Sequence, residues 1–389
     1  MSHSDSSQSE SENVETAYVD QCYGDKTVNK PDRLSALPDH LLLHILSSFQ
    51  MKDVIITGVL SQRWRLLWTS AHNLCFSHSL ESNRDVTKFI KSIDDTLILS
   101  KPSKLKKFSI EFLYRNNQFL DHVNRWMIFV TIKSVERLDL NLMRGSKEGY
   151  SLPQLMYSNV HLHKLKLSNC NLVPNEGINW PVLRVLSLWN AKLSLEVVDV
   201  ICSGCHGLES LKFYEDSDDD NDDDKELTIW ARNVTSFEIS GWFHKKIPVL
   251  QNVQALVDAK LYFFEFRINQ KMLNDLLALL ESSNWRCPWM KCKYLNLSTR
   301  LDALERPGLA ILLQSCPQVE TLIISSESTF EPSMPFMEAV LKNGIVLEKI
   351  ILTPFKDGIW AYPMQHARVT LKLLSFPRSS EDAVIVFSG

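Results

Sequence analysis

Nowhere does the chain carry a run approaching ~20 apolar residues, so it offers no candidate membrane-spanning helix. Its first residues, MSHSDSSQSESENVET, lack the basic and apolar stretches of a secretory leader and are too acidic for a transit peptide. The expected compartment is therefore the cytosol or the nucleus. The sequence has no G-x-S-x-G, no P-loop, no glycine-rich dinucleotide turn and no H-E-x-x-H. No catalytic residue, cofactor site or metal site is expected. Its eight cysteines are scattered, and four ligands at paired zinc spacing are nowhere found. In a reducing compartment they are expected to be buried thiols rather than disulfides.

What is there begins with an uneven charge. Residues 1–32 hold seven acids against Lys26 and Lys30, a balance of −5. The run Glu215–Glu226 holds nine acids against Lys225, a balance of −8. Taking both away from the whole-chain charge of −4 leaves +9 for the remainder. Its Lys and Arg are dispersed, which argues against a nucleic-acid partner. Residues 1–31 are polar, Ser- and Glu-rich and aperiodic, and read as a disordered tail. The acidic run 215–226 reads as a solvated insertion. Its Asp216–Asp222 stretch has Asn221 where a calcium loop needs Gly, and Leu227 where it needs Glu.

Residues 37–70 read as short helices. Pro38 suits a helix start and Asp39 complements its dipole. Leu41, Leu42, Ile45, Leu46 and Phe49 then make one apolar stripe. A second segment, Asp53–Leu60, breaks around Gly58, and Ser61 is the expected N-cap of a third helix carrying Trp64, Leu67 and Trp68 on one face. Three such helices cannot bury all of this apolar surface among themselves, and the excess predicts a partner helix.

The segments Asp32-Arg-Leu-Ser-Ala-Leu-Pro-Asp-His-Leu-Leu-Leu-His-Ile-Leu and Leu60-Ser-Gln-Arg-Trp-Arg-Leu-Leu-Trp68 resemble an F-box of the plant type, over residues 32–75. The resemblance implies docking on a Skp-type adaptor and, through it, on a cullin scaffold. Leu37, Pro38, Leu41, Leu42, Ile45 and Leu46 would supply most of that contact, with Val59, Leu60 and Trp64 behind them. His40 stands where F-boxes often place glutamate, which is expected to tune the affinity.

From residue 105 a spacing recurs, apolar-x-x-apolar-x-apolar. It runs from Leu105/Phe108/Ile110 and Val135/Leu138/Leu140 through Leu162/Leu165/Leu167, Leu183/Leu186/Leu188 and Leu208/Leu211/Phe213. It continues with Val234/Phe237/Ile239, Leu256/Ala259/Leu261, Cys292/Leu295/Leu297, Val319/Leu322/Ile324 and Leu347/Ile350/Leu352. First positions advance by 30, 27, 21, 25, 26, 22, 36, 27 and 28 residues, mostly within or near the period of leucine-rich repeats. Each copy is a strand plus a return segment, and stacking them predicts a solenoid with a parallel sheet on its concave face, spanning about residues 100–330.

In this frame Cys202-Ser-Gly-Cys205-His206, which has the letters of a haem attachment site, takes the place before a strand that Ser315-Cys316-Pro317 also takes. It reads as a turn. His161 and His163 flank Leu162 and are expected to face solvent. Trp180, Trp189, Trp230 and Trp242 lie close to repeat strands, as packing residues or as anchors on the concave face. The sequons at Asn233 and Asn296 fall in or beside strands and read as chance matches.

Phe336–Leu352 and Leu373–Phe387, the latter with its Phe-Pro-Arg-Ser-Ser turn, resemble the FBD domain that ends many plant F-box proteins, here over 331–389. A cap on the open end of the solenoid is a sufficient role for it. The expectation is an α/β protein, F-box then solenoid, that performs no catalysis and receives substrates for an SCF-type ubiquitin ligase, its target protein unidentified. The alternative is a non-degradative scaffold using the same two parts.

Overall fold

In the computed structural model the described residues are 34, 36–78, 86–114, 118–144, 149–191, 200–201, 203–215, 228–230, 233–241, 249–251, 255–263, 291–299, 313, 316–326, 334–343, 346–354, 363–380 and 383–387. The expected tail, the acidic run after Glu215, Cys22, Cys202, Cys287, Trp242 and the side chain of Trp230 lie outside them.

Twelve strands form one parallel sheet in which spatial order equals chain order. They are β1 (Asn73–Ser77), β2 (Lys107–Tyr114), β3 (Arg137–Arg144), β4 (Lys164–Ser168), β5 (Val185–Trp189) and β6 (Ser210–Glu215). The second half is β7 (Ser236–Gly241), β8 (Asp258–Phe263), β9 (Tyr294–Thr299), β10 (Thr321–Ser326), β11 (Lys349–Pro354) and β12 (Val384–Phe387). Register does not slip between copies: Phe108, Leu138, Leu165, Leu186 and Leu211 pair in one row, continued by Phe237, Ala259, Leu295, Leu322 and Ile350. The reason is local. Each copy places three apolar residues on one side of its turn and strand, and a one-residue slip would turn that set to water. All thirty of those positions are buried.

The sheet extends past both expected limits. Ala71, Leu74 and Phe76 supply an N-terminal copy that the sequence pattern hid, because alanine holds the first position and Cys75 sits among the apolar residues. At the other end β11 and β12 carry the same rows into the FBD-like segment. There the Phe-Pro-Arg-Ser-Ser turn links the C-terminus of α6 (Met334–Asn343) to the last strand: Ser379 N–H donates to the Leu341 carbonyl at 3.0 Å, Ser379 Oγ to the Lys342 carbonyl, and Arg378 to the Ala383 carbonyl at 2.7 Å. Two of these bonds satisfy carbonyls that a helix end leaves without partners.

Return segments cover the other face. In the first coils they are full helices, α4 (Val86–Leu99) and α5 (Leu120–Ile132), and Phe112 sits within 6.2 Å, centroid to centroid, of Phe89, Tyr114, Phe119 and Trp126. Among the described residues the returns between β3 and β5 hold no helix but a 3₁₀ turn, Gln154–Ser158, and a full helix comes back with α6 between β10 and β11. The Tyr157 and Trp180 rings stack at 6.1 Å, and the Trp180 indole donates to the Met156 carbonyl at 2.7 Å. Trp180 is therefore a packing residue. Of the Cys202–His206 stretch, the described part, 203–206, lies against the preceding coil: the Gly204 carbonyl accepts from Trp180 N–H, and a Cβ there would stand 1.9 Å from the Ile178 carbonyl oxygen. That close approach accounts for its glycine. Cys75, Cys170, Cys205, Cys292 and Cys316 are buried, as expected, with burial holding the Cys292 thiol up at about 12.

Among the described residues three α-helices precede the sheet: α1 (Asp39–Leu46), α2 (Met51–Ile56), which runs into a 3₁₀ turn at Thr57–Val59, and α3 (Gln62–Leu67). Ser61 is the N-cap of α3, its Oγ 3.5 Å from Trp64 N. Gly58 passes close to α3, where an added Cβ would meet Arg65 Cα at 3.3 Å. The helices pack on β1: Leu42, Leu46, Met51, Val54, Trp64 and Leu67 belong to the same buried cluster as Leu74 and Phe76, and Asn73 donates to the Ser47 carbonyl at 3.2 Å. Part of the apolar excess expected to need an outside partner is thus covered by the solenoid itself, and the helices close its first coil.

Candidate functional site

The helical end presents what that packing leaves over. The stripe on α1 is wide enough to face two ways. Leu42 and Leu46 point inward at 0% and 4% exposure, while Leu41 and Ile45, one residue round the helix, and Phe49 just past its end stay about half exposed. Leu37 is partly buried, and Pro38 and His40 are exposed. At the turn after α2 the chain exposes Ile56 (62%), Val59 (83%) and Leu60 (59%). The nine residues expected at the adaptor therefore divide. Leu42, Leu46 and Trp64 (2% exposed) are enclosed by this chain and support the surface without reaching it. Val59 and Leu60, expected behind the others, stand at the front. A 3₁₀ turn causes this, since it cannot continue the inward face of α2 and turns successive side chains outward.

Sequence reasoning left Ile56 and Leu66 out of this surface, although both are large, apolar and exposed. It also missed Arg63. Arg63 donates from Nε to the Asp39 carboxylate at 2.9 Å and from Nη2 to the Leu37 carbonyl at 2.7 Å, tying the start of α1 to α3. The only sequence signal for that clasp was opposite charge, which many pairs share.

The second surface is the open, concave face of the sheet. Side chains alternate along each strand, so the first, third and fifth positions of every strand share this face. Its middle is internally bonded. Lys212 and the Tyr214 hydroxyl both donate to Glu238, and Asn296 donates to the Tyr262 hydroxyl at 3.0 Å. Burial pulls the Glu238 carboxyl upward, but those two bonds, with the charges of Lys212 and Lys260, hold it below the usual glutamate range. Trp189 lies flat against Tyr214, ring centroids 3.8 Å apart and planes 19° apart, with Lys166 Nζ 5.6 Å from the indole. It is 39% exposed, so of the tryptophans expected near the strands it is one that reaches this face. His161 and His163 face solvent, as expected. Among the described residues no group of three or more His, Cys, Asp or Glu is placed to hold a metal ion.

Set beside known proteins, residues 34–76 match the F-box domain. An F-box/LRR-repeat protein of Arabidopsis thaliana is 32% identical over 77% of this chain and 73% of its own length. F-box/LRR-repeat protein 13 of the same plant is 25% identical over 93% of this chain and 97% of its own. An Arabidopsis F-box/FBD/LRR-repeat protein is 28% identical over 59% of this chain and 52% of its own. With helices, repeats and register all in place, this chain belongs to the F-box/LRR-repeat protein family.

Proposed function

We propose that this chain is a substrate-recognition subunit of an SCF-type, cullin–RING ubiquitin ligase. F-box domains generally bind Skp1-type adaptors, and F-box/LRR proteins generally serve as substrate adaptors of such ligases. For this chain the helical end would dock on the adaptor and through it on the cullin. The concave face would hold a target protein and raise the effective concentration of its lysines near the charged enzyme. The chain itself would contribute binding and position and no bond chemistry, working in the cytosol or nucleus.

The observation that carries the reading is the cluster Leu41, Ile45, Phe49, Ile56, Val59 and Leu60. It remains exposed after the helices have packed on β1. Six large apolar side chains left exposed along three short consecutive helices are what an outside partner helix would cover. Titrating the full chain with purified Skp-type adaptor tests it: binding at one-to-one stoichiometry supports the receptor reading. A folded chain that does not bind sinks it. Target lifetime that depends on cullin activity separates the degradative role from a scaffold using the same contacts.

A further inference from the structure

Charges on the concave face are not evenly matched. From β6 to β8 the acids are engaged by their neighbours: Glu238 accepts from Lys212 and Tyr214, and Asp258 accepts from Ser236 at 3.2 Å. On β2, β3 and β4 the first position of each strand is a cation: Lys107, Arg137 and Lys164 are Cα partners in register. Neighbouring parallel strands lie about 4.8 Å apart, so three like charges stand in a row under 10 Å long. Like charges placed directly opposite are unfavourable in a sheet. None of the three is within ion-pair distance of an acid among the described residues.

The acids nearby do not balance this row. Asp139, one pleat further along, has Lys166 Nζ at 3.8 Å, and its buried Oδ1 has no hydrogen-bond partner among the described residues. Burial holds its carboxyl above the usual range against the pull of Lys166 and Lys107. Glu111 is occupied by Ser77 and Asn141, at 3.2 and 2.7 Å. On the next two strands, β5 and β6, the Trp189–Tyr214 stack offers a flat, half-exposed apolar shelf next to Lys166.

We propose that Lys107, Arg137, Lys164 and Lys166, with the Trp189–Tyr214 shelf beside them, form the docking site for an acidic peptide segment of the target. The proposal rests on the concave face being the target surface and adds the chemistry of what it takes. A short extended peptide places same-side carboxylates roughly 7 Å apart, which suits cations set about 4.8 Å apart on long, mobile side chains. An apolar residue between them would lie on the indole. A nucleic acid fits less well: the cations span only three strands, whereas tight non-specific binding needs phosphate contacts in number.

The test is fluorescence anisotropy with the full chain in complex with its adaptor. The probes are a short fluorescein-labelled peptide alternating Glu and Leu, its Gln counterpart, and a single-stranded RNA of similar length. The expected result is binding of the Glu peptide, weakened about tenfold or more by Arg137→Ser with Lys164→Ser, and several-fold by Trp189→Ala. Lys342→Ser with Lys372→Ser removes the same charge from exposed positions on α6 and the following helix, α7 (Pro363–Ser375), and should change nothing. Equal loss in both double variants, equal binding of the Gln peptide, tighter binding of the RNA, or no binding of the Glu peptide would each overturn the proposal. Adaptor binding by the same preparations is read separately. A sample that binds adaptor but no peptide removes the acidic-peptide site and leaves the receptor reading intact.

Discussion

Replacing Ile56 and Val59 together by alanine should leave the fold standing and remove most of the affinity for the adaptor. In the chain alone the two side chains are 62% and 83% exposed. Their truncation therefore forfeits little burial, and the stability change should stay within about 0.5 kcal/mol. In a complex that covers them, each loses about 1.5–3 kcal/mol of burial, reduced because alanine keeps its own methyl. About 3 kcal/mol for the pair corresponds to a dissociation constant raised about a hundredfold. Leu42→Ala is the opposite case. Leu42 is fully enclosed, so its truncation should cost about 2–5 kcal/mol of stability and weaken binding only as far as it unfolds the helices. Isothermal titration against the adaptor, with thermal melts of each variant alone, separates the two. The reasoning fails if the Ile56/Val59 variant binds within about threefold of wild type, or if its melt falls as far as that of Leu42→Ala.

Three further outcomes are expected. Gly204→Ala should destabilise the solenoid by roughly 1–3 kcal/mol in chemical denaturation, because the new Cβ meets the Ile178 carbonyl at 1.9 Å and backbone must shift. Arg63→Ala should cost at most about 1 kcal/mol, since its pairing with Asp39 is solvent-screened, yet it should weaken adaptor binding by loosening the start of α1; melts and titration read these separately. Glu238 has a carboxyl held below its ordinary value, so it contributes stability that is present above the unfolded glutamate pKa and lost as pH falls through the lower folded value. Glu238→Gln should thus be less stable than wild type at neutral pH, and urea titrations should show the gap closing as pH drops below about 4.3.

How much of this was legible beforehand differs by element. The ten repeat copies were readable because each places its own three apolar residues at fixed spacing, and every one of them lies in the sheet register that spacing demands. The copy at Ala71/Leu74/Phe76 was not, since small and sulfur-bearing residues satisfy the same burial without the same letters. The F-box helices were legible as helices, through Pro38, Ser61 and the Leu41–Phe49 stripe. Their surface was only half legible. Leu41 and Leu42 have identical side chains, and nothing local distinguishes the one facing β1 from the one facing solvent.

The sequence by itself determined the period, the parallel register, the helical start and the family. These follow from short-range spacing of apolar side chains, which acts within one strand or one helix turn. Only the tertiary structure decided that the helices use β1 to cover part of their apolar surface, so that Leu42, Leu46 and Trp64 support and Val59 and Leu60 present. It alone aligned Lys107, Arg137 and Lys164, residues 27 to 57 positions apart in the chain, as one row. Burial and like-charge adjacency depend on which element lies alongside, and residues that far apart meet only when the coils stack.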